Sequence, residues 1–266
     1  MNEKKLVSII VVNYKSASLM KQCILSFSKQ LQKERIRYEW IVVNNSPSEC
    51  LFDNKELRVC IINSSTNEGF ARGCNKGAKR ASGEILWFLN PDTEYKKGSI
   101  YSTLSLFQKK KDIGIVGARL VDERKRVQRW IFGETLTFWT WLENKITPCK
   151  STELKNIKEV GWVSGASFMI KKNTFFLLGG FDEKYFMYFE DMDLCLRLFN
   201  KMELRSLYTP FLCIRHLGGK SFNNNKKKQK KWYYNSMRRY TRKHLPWWQR
   251  FFFASITRFF ERYFLI

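Results

Sequence analysis

The sequence predicts an α/β fold in which a doubly wound, mixed sheet is followed by an amphipathic helical tail. Strand-like runs of β-branched residues alternate with helical periodicity between Leu6 and Leu89. A polar turn follows each run, and the composition changes sharply beyond His216. At 266 residues the chain can bury a substantial core, which we expect to form one large domain with an appendage.

Apolar patterning defines the elements in order. Residues 6–12 are almost continuously apolar, which is typical of a strand buried on both faces. Apolar side chains then recur at helical spacing between Leu19 and Leu31. The later elements are strands at 40–43, 57–62, 85–89 and 113–118, and helices at 71–81 and 98–109. Residues 119–159 have no assignable pattern, and 160–170 predict one strand whose small residues leave room for a ligand.

Polar residues follow four of the predicted strands. Because the carboxyl ends of parallel strands meet at one edge of a sheet, we expect these residues to form a common ligand-binding rim. Each is also an ordinary turn, and only their coincidence favours a site. The four turns are Asn13-Tyr14, Asn44-Asn45-Ser46, residues 63–67 and Asn90-Pro91-Asp92.

An acidic and aromatic segment spans residues 181–193 and contains five carboxylates. Carboxylates beside aromatic rings lose solvation, which raises their pKa towards the range of a general base. A structural explanation is equally available, because Glu190, Asp191 and Asp193 precede a predicted helix whose N-terminal dipole favours acids. The residues alone leave both interpretations open.

The chain is strongly basic, with 48 Lys and Arg against 24 Asp and Glu and a formal charge of +24. Such a surface attracts phosphates, anionic lipid headgroups or nucleic acid. The seven cysteines never occur as CxxC, which argues against a disulfide framework or a structural zinc. With no signal-like apolar run at the start, we expect a cytoplasmic location.

The predicted domain boundary lies near residue 222, with a core at 1–222 and a basic, aromatic tail at 223–266. The last twenty residues approach the length of a membrane span, but four charged residues interrupt them. We expect this segment to lie in an anionic membrane interface, where each Lys or Arg contributes about 1 kcal/mol. The alternative is a helix that packs on the core or on a second copy of the chain.

Six segments in order resemble family 2 glycosyltransferases, especially the bacterial rhamnosyltransferase-like branch, over residues 6–222. They are VSIIVVNY at 7–14, NEGFARGCN at 67–75, LNPDT at 89–93, VSGASFMI at 163–170, GFDEKYFMYFEDMDLCLR at 180–197 and HLGGKS at 216–221. The resemblance implies a GT-A fold, a nucleotide-sugar donor, Mg²⁺ or Mn²⁺, and inversion at the anomeric carbon. It also implies a glycan acceptor, which the tail suggests is lipid-linked.

The resemblance also implies roles for individual residues. Asp191 matches the general base, with Glu190 beside it, and Asp92 and His216 match positions at the metal. Two departures are Asn90 and Asn44, which stand where the family usually has an acid. The implied nucleotide-sugar contacts are Asn13, Tyr14, Asn44, Asn67, Gly69, Arg72, Asn75, Asn90 and Asp92. The implied acceptor contacts are Gly165, Asp182 and Glu183.

Together these features predict an inverting transferase of rhamnose or another hexose in bacterial surface polysaccharide synthesis, peripheral at the inner face of the cell membrane. Two alternatives are a nucleic-acid-binding protein, which the charge and aromatics suggest, and a non-catalytic scaffold. A nucleic-acid groove would avoid the acidic segment, so we expect no nucleic-acid partner. A dinucleotide-dependent oxidoreductase needs a Gly-rich turn after the first strand, which Asn13-Tyr14-Lys15-Ser16 lacks.

Overall fold

A computed structural model of the protein describes residues 6–49, 51, 59–146, 155–218 and 226–264. Its strands are β1 Val7–Asn13, β2 Tyr38–Asn44, β3 Val59–Asn63, β4 Ile85–Leu89, β5 Thr93–Gly98, β6 Ile113–Val121, β7 Phe132–Gly133, β8 Lys158–Val160, β9 Trp162–Val163, β10 Ser167–Lys171 and β11 Arg205–His216. Its helices are α1 Ala17–Lys33, α2 Phe70–Arg80, α3 Ile100–Lys109, α4 Phe138–Ile146, α5 Lys172–Leu177, α6 Glu190–Met202, α7 Lys226–His244 and α8 Trp247–Phe264. Parts of the predicted segments, at 57–58, 219–225 and 265–266, and the side chains of 260–264 lie outside the described residues.

The first half of the chain forms the parallel part of one mixed sheet. In the described residues the strand order is β3-β2-β1-β4-β10-β6-β11-β5, with β8 paired to β11. Strands β3, β2, β1 and β4 are mutually parallel, so Asn13, Asn44 and Asn63 end side by side. Every residue of β1 is buried, as its continuous apolar run predicted. The predicted common rim therefore exists.

The second half of the sheet differs from the prediction in two places. The sequence analysis missed β5, whose polar and charged residues resemble a loop and whose one strand partner is the antiparallel β11. The prediction of a single strand at 160–170 is wrong, since three short strands occupy this region. The strand pattern is interrupted at Gly161, where a Cβ would lie 2.2 Å from the Thr135 nitrogen. It is interrupted again at a turn in which the Ser167 N–H donates to the Ser164 carbonyl.

Residues 119–159 contain more structure than their pattern indicated. Strand β6 continues to Val121 and bridges to Val127, and β7 pairs with β9. Helix α4 follows, and its Trp141 packs against Phe252 of α8 with ring centroids 5.2 Å apart. Such a helix depends on a partner distant in sequence, which explains why no local periodicity revealed it.

The predicted tail is a pair of helices, and α7 packs on the core. A second hydrophobic cluster, separate from the sheet core, joins α7 and α8 to the acidic segment. This arrangement matches the alternative in which the tail packs back on the protein, and it leaves membrane contact as a prediction for α8. No helix in the described part of the chain combines the length and apolar character needed to cross a bilayer. The buried members of the cluster are Tyr185, Phe189, Met237, Tyr240, Leu245 and Phe253.

Candidate active site

A network of amide side chains forms the rim at the ends of β1, β2 and β3. Asn13 Nδ2 donates to Asn44 Oδ1 at 3.0 Å, and Asn44 Nδ2 donates to Asn63 Oδ1 at 3.1 Å. Asn13 is fully buried and Asn44 almost so. Buried polar groups need such partners, and these amides satisfy one another. The structure therefore places Asn13 and Asn44 as supports of the rim, with their side chains turned to each other.

Glu49 supplies a carboxylate at the rim that the sequence analysis missed. Its Oε2 accepts from Asn13 Nδ2 at 2.8 Å, and its Oε1 accepts from the backbone N–H of Ala17 at 3.0 Å. Ala17 is the first residue of α1, where a negative charge is favoured by the helix dipole. An acid thus lies beside Asn44 after all, delivered from a loop whose sequence carries no recognisable motif.

Gly69 connects the rim to the acidic segment. Its φ is +85°, and a Cβ at this position would lie 2.4 Å from the carbonyl oxygen of Phe186. The backbone N–H of Phe70 donates to that same oxygen at 2.8 Å. Asn67 Oδ1 accepts from the Gly69 N–H at 3.0 Å and so fixes the turn. Only glycine permits both the left-handed backbone and this close approach.

Asp92 and His216 lie together at the end of β4. Strands β5 and β11 pair in a register that puts His216 opposite Thr93, the residue after Asp92. His216 Nε2 is 3.4 Å from Asp92 Oδ1 and 3.3 Å from Asn90 Nδ2. Asp92 is buried. Gln128, which the sequence analysis did not select, contacts the other ring nitrogen, with Oε1 2.9 Å from Nδ1.

The hydrogen bonds of Gln128 determine the tautomer of His216. Gln128 Nε2 donates to the His216 carbonyl at 2.7 Å, so its Oε1 is the acceptor that faces the ring. Nδ1 must then carry the hydrogen, and in the neutral ring Nε2 presents its lone pair towards Asp92. Asn90 Nδ2, at 3.3 Å, can donate to this lone pair, and a proton or a cation between Nε2 and Asp92 Oδ1 would offset the repulsion of two acceptors 3.4 Å apart.

This pair of acceptors fits a divalent cation. A carboxylate oxygen suits Mg²⁺ or Mn²⁺, and a neutral imidazole oriented by a second residue is a normal metal ligand. The described residues contain no cluster of three or more His, Cys, Asp or Glu side chains placed to hold an ion. With two protein ligands, most of the coordination sphere is left for a bound diphosphate and water.

Asp191 lies in the first turn of α6 and faces the turn before β10. Gly165 N–H donates to Asp191 Oδ2 at 2.7 Å, and Met192 N–H donates to Oδ1 at 2.8 Å. Burial raises the pKa of the Asp191 carboxyl above its ordinary value of 3.8, although these two N–H groups oppose the shift. Gly165 orients the Asp191 carboxylate through this bond, and its predicted contact with an acceptor stays a prediction.

Glu190 is a poorer candidate for the base than Asp191. It is 4% exposed, and its Oε2 has no hydrogen-bond partner among the described residues. Burial, reinforced by the neighbouring Asp191 charge, raises the pKa of Glu190 well above its usual range. Burial raises the pKa of both carboxyls, to well above the usual range for Glu190, and the two backbone N–H bonds to Asp191 favour its anionic form.

The turn that leads into α6 is strained. Tyr188 and Phe189 have φ of +70° and +65°, in the left-handed region that bulky residues avoid. Each such residue costs on the order of 1–3 kcal/mol, which the surroundings must offset. Helix α7 provides the contacts, because Tyr240 packs on Phe189 at 5.7 Å between ring centroids and Ser236 Oγ donates to the Met187 carbonyl at 2.7 Å.

Asp193 joins α6 to α7 through buried charges. It is fully buried and contacts Arg197 at 2.7 Å, Lys243 at 2.6 Å and His244 at 2.7 Å. Burial alone would raise its pKa, but the hydrogen bond from His244 and the charges of Arg197 and Lys243 hold the pKa of Asp193 well below its usual range. Asp193 therefore anchors α6 to α7, a structural role that differs from the role predicted for Asp191.

The two halves of the site meet through a short backbone link. Gly165, which holds Asp191, is followed by Ala166, whose carbonyl accepts from the Asn90 N–H at 3.0 Å. Asn90 in turn contacts His216. The β4–β10 pairing fixes this arrangement, since Ser167 lies opposite Leu89. The structure thus places the candidate base next to the candidate metal pair.

Four other predicted residues pair among themselves or with α7. Arg72 donates to Glu183 Oε2 at 3.1 Å on the exposed surface. Asn75 is buried and bonds both the backbone of Phe181 and Glu183 Oε1, and its expected nucleotide contact stays a prediction. Asp182 contacts Arg239 and Lys243 of α7, and its expected acceptor contact stays a prediction. Tyr14 is half-buried at the rim, as predicted, with Lys15 near its ring.

Comparison with known proteins identifies a family that matches most of the chain. The family described as glycosyl transferase family 2 matches residues 8–178. The match covers the rim, Asp92 and Gly165 and ends before Asp191 and the C-terminal helices.

Two curated relatives are similar over parts of the chain. The low-salt glycan biosynthesis hexosyltransferase Agl10 of Haloferax volcanii is 28% identical over 202 residues, which are 72% of this chain and 61% of that protein. An N-acetylglucosaminyl-diphospho-decaprenol L-rhamnosyltransferase of Mycobacterium tuberculosis is 31% identical over 138 residues, 48% of this chain and 45% of that protein. The matched regions thus span about half of these relatives.

A solved structure shares the fold. The crystal structure of GalNAc-T7 with UDP, GalNAc and Mn²⁺ superposes with a TM-score of 0.63 at 16% identity, over 90% of this chain and 48% of that one. At this identity the likeness concerns the fold alone, and it confirms the GT-A architecture with its mixed sheet.

Proposed function

The chain belongs to glycosyl transferase family 2, in its rhamnosyltransferase-like branch, and we propose that it moves rhamnose or another hexose from a nucleotide diphosphate to a glycan acceptor with inversion. One observation carries the proposal. Asp191, a partly buried carboxylate oriented by two backbone N–H groups, is connected through Gly165, Ala166 and Asn90 to a carboxylate and imidazole pair, Asp92 and His216, that fits a cation. Inversion needs a single base, and this site offers a single anionic one.

Asp191 is the proposed base. It accepts the proton of the acceptor hydroxyl as that oxygen bonds to the anomeric carbon and the bond to the nucleotide phosphate breaks. Its raised pKa improves it as a proton acceptor, and the N–H groups of Gly165 and Met192 keep one lone pair direction free for the acceptor. Glu190 stays protonated beside it.

Asp92 and His216 are the residues that would hold Mg²⁺ or Mn²⁺. When bound, the cation supplies charge that neutralises the departing nucleotide diphosphate. The solved GT-A structure described above contains Mn²⁺ with UDP. Gln128 keeps the His216 lone pair directed at the ion.

The donor nucleotide is proposed to lie along the rim. Asn13 and Asn44 are hydrogen-bonded to each other, and we propose that Tyr14, Asn67 and Glu49, which lie at the same edge, contact the base and ribose. Gly69 allows the backbone to approach closely. The rim therefore consists of amide side chains and one carboxylate, that of Glu49, from a loop.

Helix α8 supports membrane association and a lipid-linked acceptor. One face exposes Trp247 at 72%, Phe251 at 70% and Phe259 at 55%, spaced by four and eight residues. The exposed Arg250 and Arg258 flank this stripe. Exposed aromatics with basic neighbours are typical of helices that lie in an anionic interface. We propose that α8 holds the enzyme at the inner face of the membrane.

The donor experiment is a panel of dTDP-, UDP- and GDP-sugars with Mn²⁺ or Mg²⁺, measured by thermal shift and by donor turnover. We expect one nucleotide sugar to raise the melting temperature only with the cation, and Asp92→Ala to abolish that increase. No response to any nucleotide sugar would contradict the proposal and favour the scaffold or nucleic-acid interpretations.

The membrane experiment is cosedimentation with phosphatidylglycerol vesicles. The double variant Trp247→Ser, Phe251→Ser is expected to lose binding, because these side chains would enter the headgroup region. Tyr101→Ser, which removes a 61% exposed aromatic from α3, is the matched control. Point substitutions are preferable to truncation before residue 226, since truncation would also strip Asp193 of Lys243 and His244. Equal binding by all three proteins would contradict membrane contact through α8.

A further inference from the structure

Helix α7 carries a stripe of cations that the transfer reaction does not use. The stripe consists of Arg238, Arg239, Arg242 and Lys243, with the uncharged Asn235 at one end, at the helical spacing that puts them on one face. These side chains line a surface cavity of about 460 Å³. We propose that this cavity, the α7 cavity, is a binding site for a phosphate-bearing ligand, specifically two linked phosphates.

Contacts with the core fix two of the cations in place. Asp182 Oδ2 accepts from Arg239 Nη2 at 2.7 Å and from Lys243 Nζ at 2.9 Å, and the Arg239 guanidinium lies 5.3 Å from the centre of the Tyr185 ring. Both side chains are about one-third exposed. The side chains of Arg239 and Lys243 are therefore oriented before a ligand binds. Binding an anion then costs less side-chain conformational entropy, which favours selective binding.

The cavity has cationic capacity beyond what Asp182 uses. Within the described residues, the exposed Arg242 has no ion pair and the buried Nε of Arg239 has no hydrogen-bond acceptor. Guanidinium groups present planar pairs of N–H donors that match phosphate oxygens. From residue 235 to residue 243 the helix rises about 12 Å, more than one phosphate occupies and suited to a diphosphate.

The position of the stripe relates it to the acceptor side of the site. Phe186 stacks on Trp232 of α7 at 4.6 Å, and Asp182 and Phe186 lie in the segment that leads into Asp191. A ligand in the α7 cavity would thus be held by the element that supports the candidate base. If the proposed transfer is correct, on which this step rests, the natural ligand is the diphosphate of a lipid-linked acceptor. Headgroup phosphates of the bilayer share the same chemistry.

Binding of inorganic pyrophosphate to the full chain, titrated without divalent cations to silence the donor site, tests the proposal. The variant Arg238→Gln, Arg242→Gln is expected to weaken binding about tenfold or more, because it removes two guanidinium groups that would donate charged hydrogen bonds to the phosphates. The control Lys227→Gln, Lys230→Gln removes two exposed cations from the same helix and is expected to change binding less than threefold. Equal weakening in both variants, or no binding by the unmodified chain, would overturn a built site.

Two further arms identify the source of the phosphates. Farnesyl diphosphate competes with pyrophosphate if the cavity takes the acceptor's diphosphate, and the Arg variant then keeps its binding to phosphatidylglycerol vesicles. Loss of vesicle binding in the Arg variant, without such competition, assigns the cavity to lipid headgroups. If farnesyl diphosphate does not compete and the Arg variant also keeps its vesicle binding, the proposal is overturned for both sources of phosphate. Nucleotide-sugar thermal shifts, which use the distant Asp92 pair, report separately on the proposed function in the same variants.

Discussion

The strand-end rim and the acidic segment before α6 are built by different physics. At the rim, uncharged amides such as Asn13 and Asn44 satisfy one another on adjacent parallel strands. In the acidic segment each carboxylate has its own partners: Asp191 accepts from backbone N–H groups, Glu190 has no described partner at one oxygen, and Asp193 contacts Arg197, Lys243 and His244. The rim consists mainly of uncharged side chains held by hydrogen bonds, whereas the acidic segment consists of carboxylates whose pKa values are shifted in different directions.

The difference also shows why three neighbouring acids have three roles. Glu190, Asp191 and Asp193 all lie in the first turn of α6, where the helix dipole acts on each. Their partners separate them, since burial raises the pKa of the first two while the cations around Asp193 lower its pKa. No side chain caps the described start of α6, so Asp193 acts as an anchor, and the general-base role of Asp191 stays a prediction.

Replacing Asp193 by alanine breaks the acidic segment most severely. The substitution leaves Arg197 and Lys243 without their buried partner, and we expect the free energy of unfolding to fall by about 3–5 kcal/mol. Because the pKa of Asp193 is lowered, its contribution is complete above the ordinary carboxyl pKa and is lost as the pH falls below it. Urea unfolding at neutral pH measures the change.

The control for Asp193 is the exposed ion pair Asp122 and Arg126. Asp122→Ala is expected to leave the free energy of unfolding nearly unchanged, because exposed pairs contribute little. Similar effects of the two substitutions would show that α7 is not anchored through Asp193.

Gly69→Ala perturbs the close contact between the rim and the acidic segment at Phe186. The left-handed backbone costs about 1–2 kcal/mol, and the overlap with the Phe186 carbonyl adds about 1–3 kcal/mol. Gly179→Ala is the matched control, since its φ is +81° but no atom lies within 4 Å of its Cβ position. Thermal unfolding that shows equal destabilisation by both would contradict the close approach of rim and segment.

Gln128→Leu tests the proposed cation site at Asp92 and His216. Loss of the hydrogen bond to His216 Nδ1 frees the ring to change tautomer, and we expect cation affinity to fall about tenfold. Titration of Mn²⁺ in the presence of a fixed nucleotide-sugar concentration measures it. Gln32→Leu removes an exposed glutamine hydrogen bond from α1 and serves as control. An unchanged affinity would remove His216 from the proposed ion site.

The smallest expected effect concerns pH. Asp191 works as an anion, so turnover should fall as the pH falls through its pKa. Burial raises that pKa, which places the acid limb of the rate profile above the ordinary aspartate value of 3.8. A rate profile of kcat for the wild-type chain measures the limb, and a limb at or below 3.8 would contradict the buried state of the base.

Sequence reasoning recovered the rim more fully than the segment. The apolar runs of β1 and β2 and the polar residues after them depend on local pattern, and the predicted rim of Asn13, Asn44, Asn63 and Asp92 exists. Glu49 escaped notice because it reaches the rim from a loop. Likewise Gln128 is selected by the fold alone, through its contact with a strand almost ninety residues away.

The acidic segment was identified as a cluster but not resolved into roles. Asp182 and Asn75, which the resemblance predicts to contact ligands, bond α7 and the backbone of Phe181 in the structure, and the sequence did not indicate these contacts. No sequence pattern announces that a basic tail folds back on an acidic segment far from it in the chain. Opposite charge made the contact favourable, and the aromatic cluster of Tyr185, Phe189 and Tyr240 made it specific.

The most direct test of the account is Asp191→Asn, measured for both turnover and binding of the nucleotide sugar identified in the donor panel. The amide keeps the shape and cannot accept the proton, so kcat should fall by about 10²–10⁴-fold while donor affinity stays within twofold. Asp112→Asn, on the exposed surface, should leave both unchanged. Retained turnover, or a parallel loss of donor binding, would contradict the assignment of Asp191 as the base.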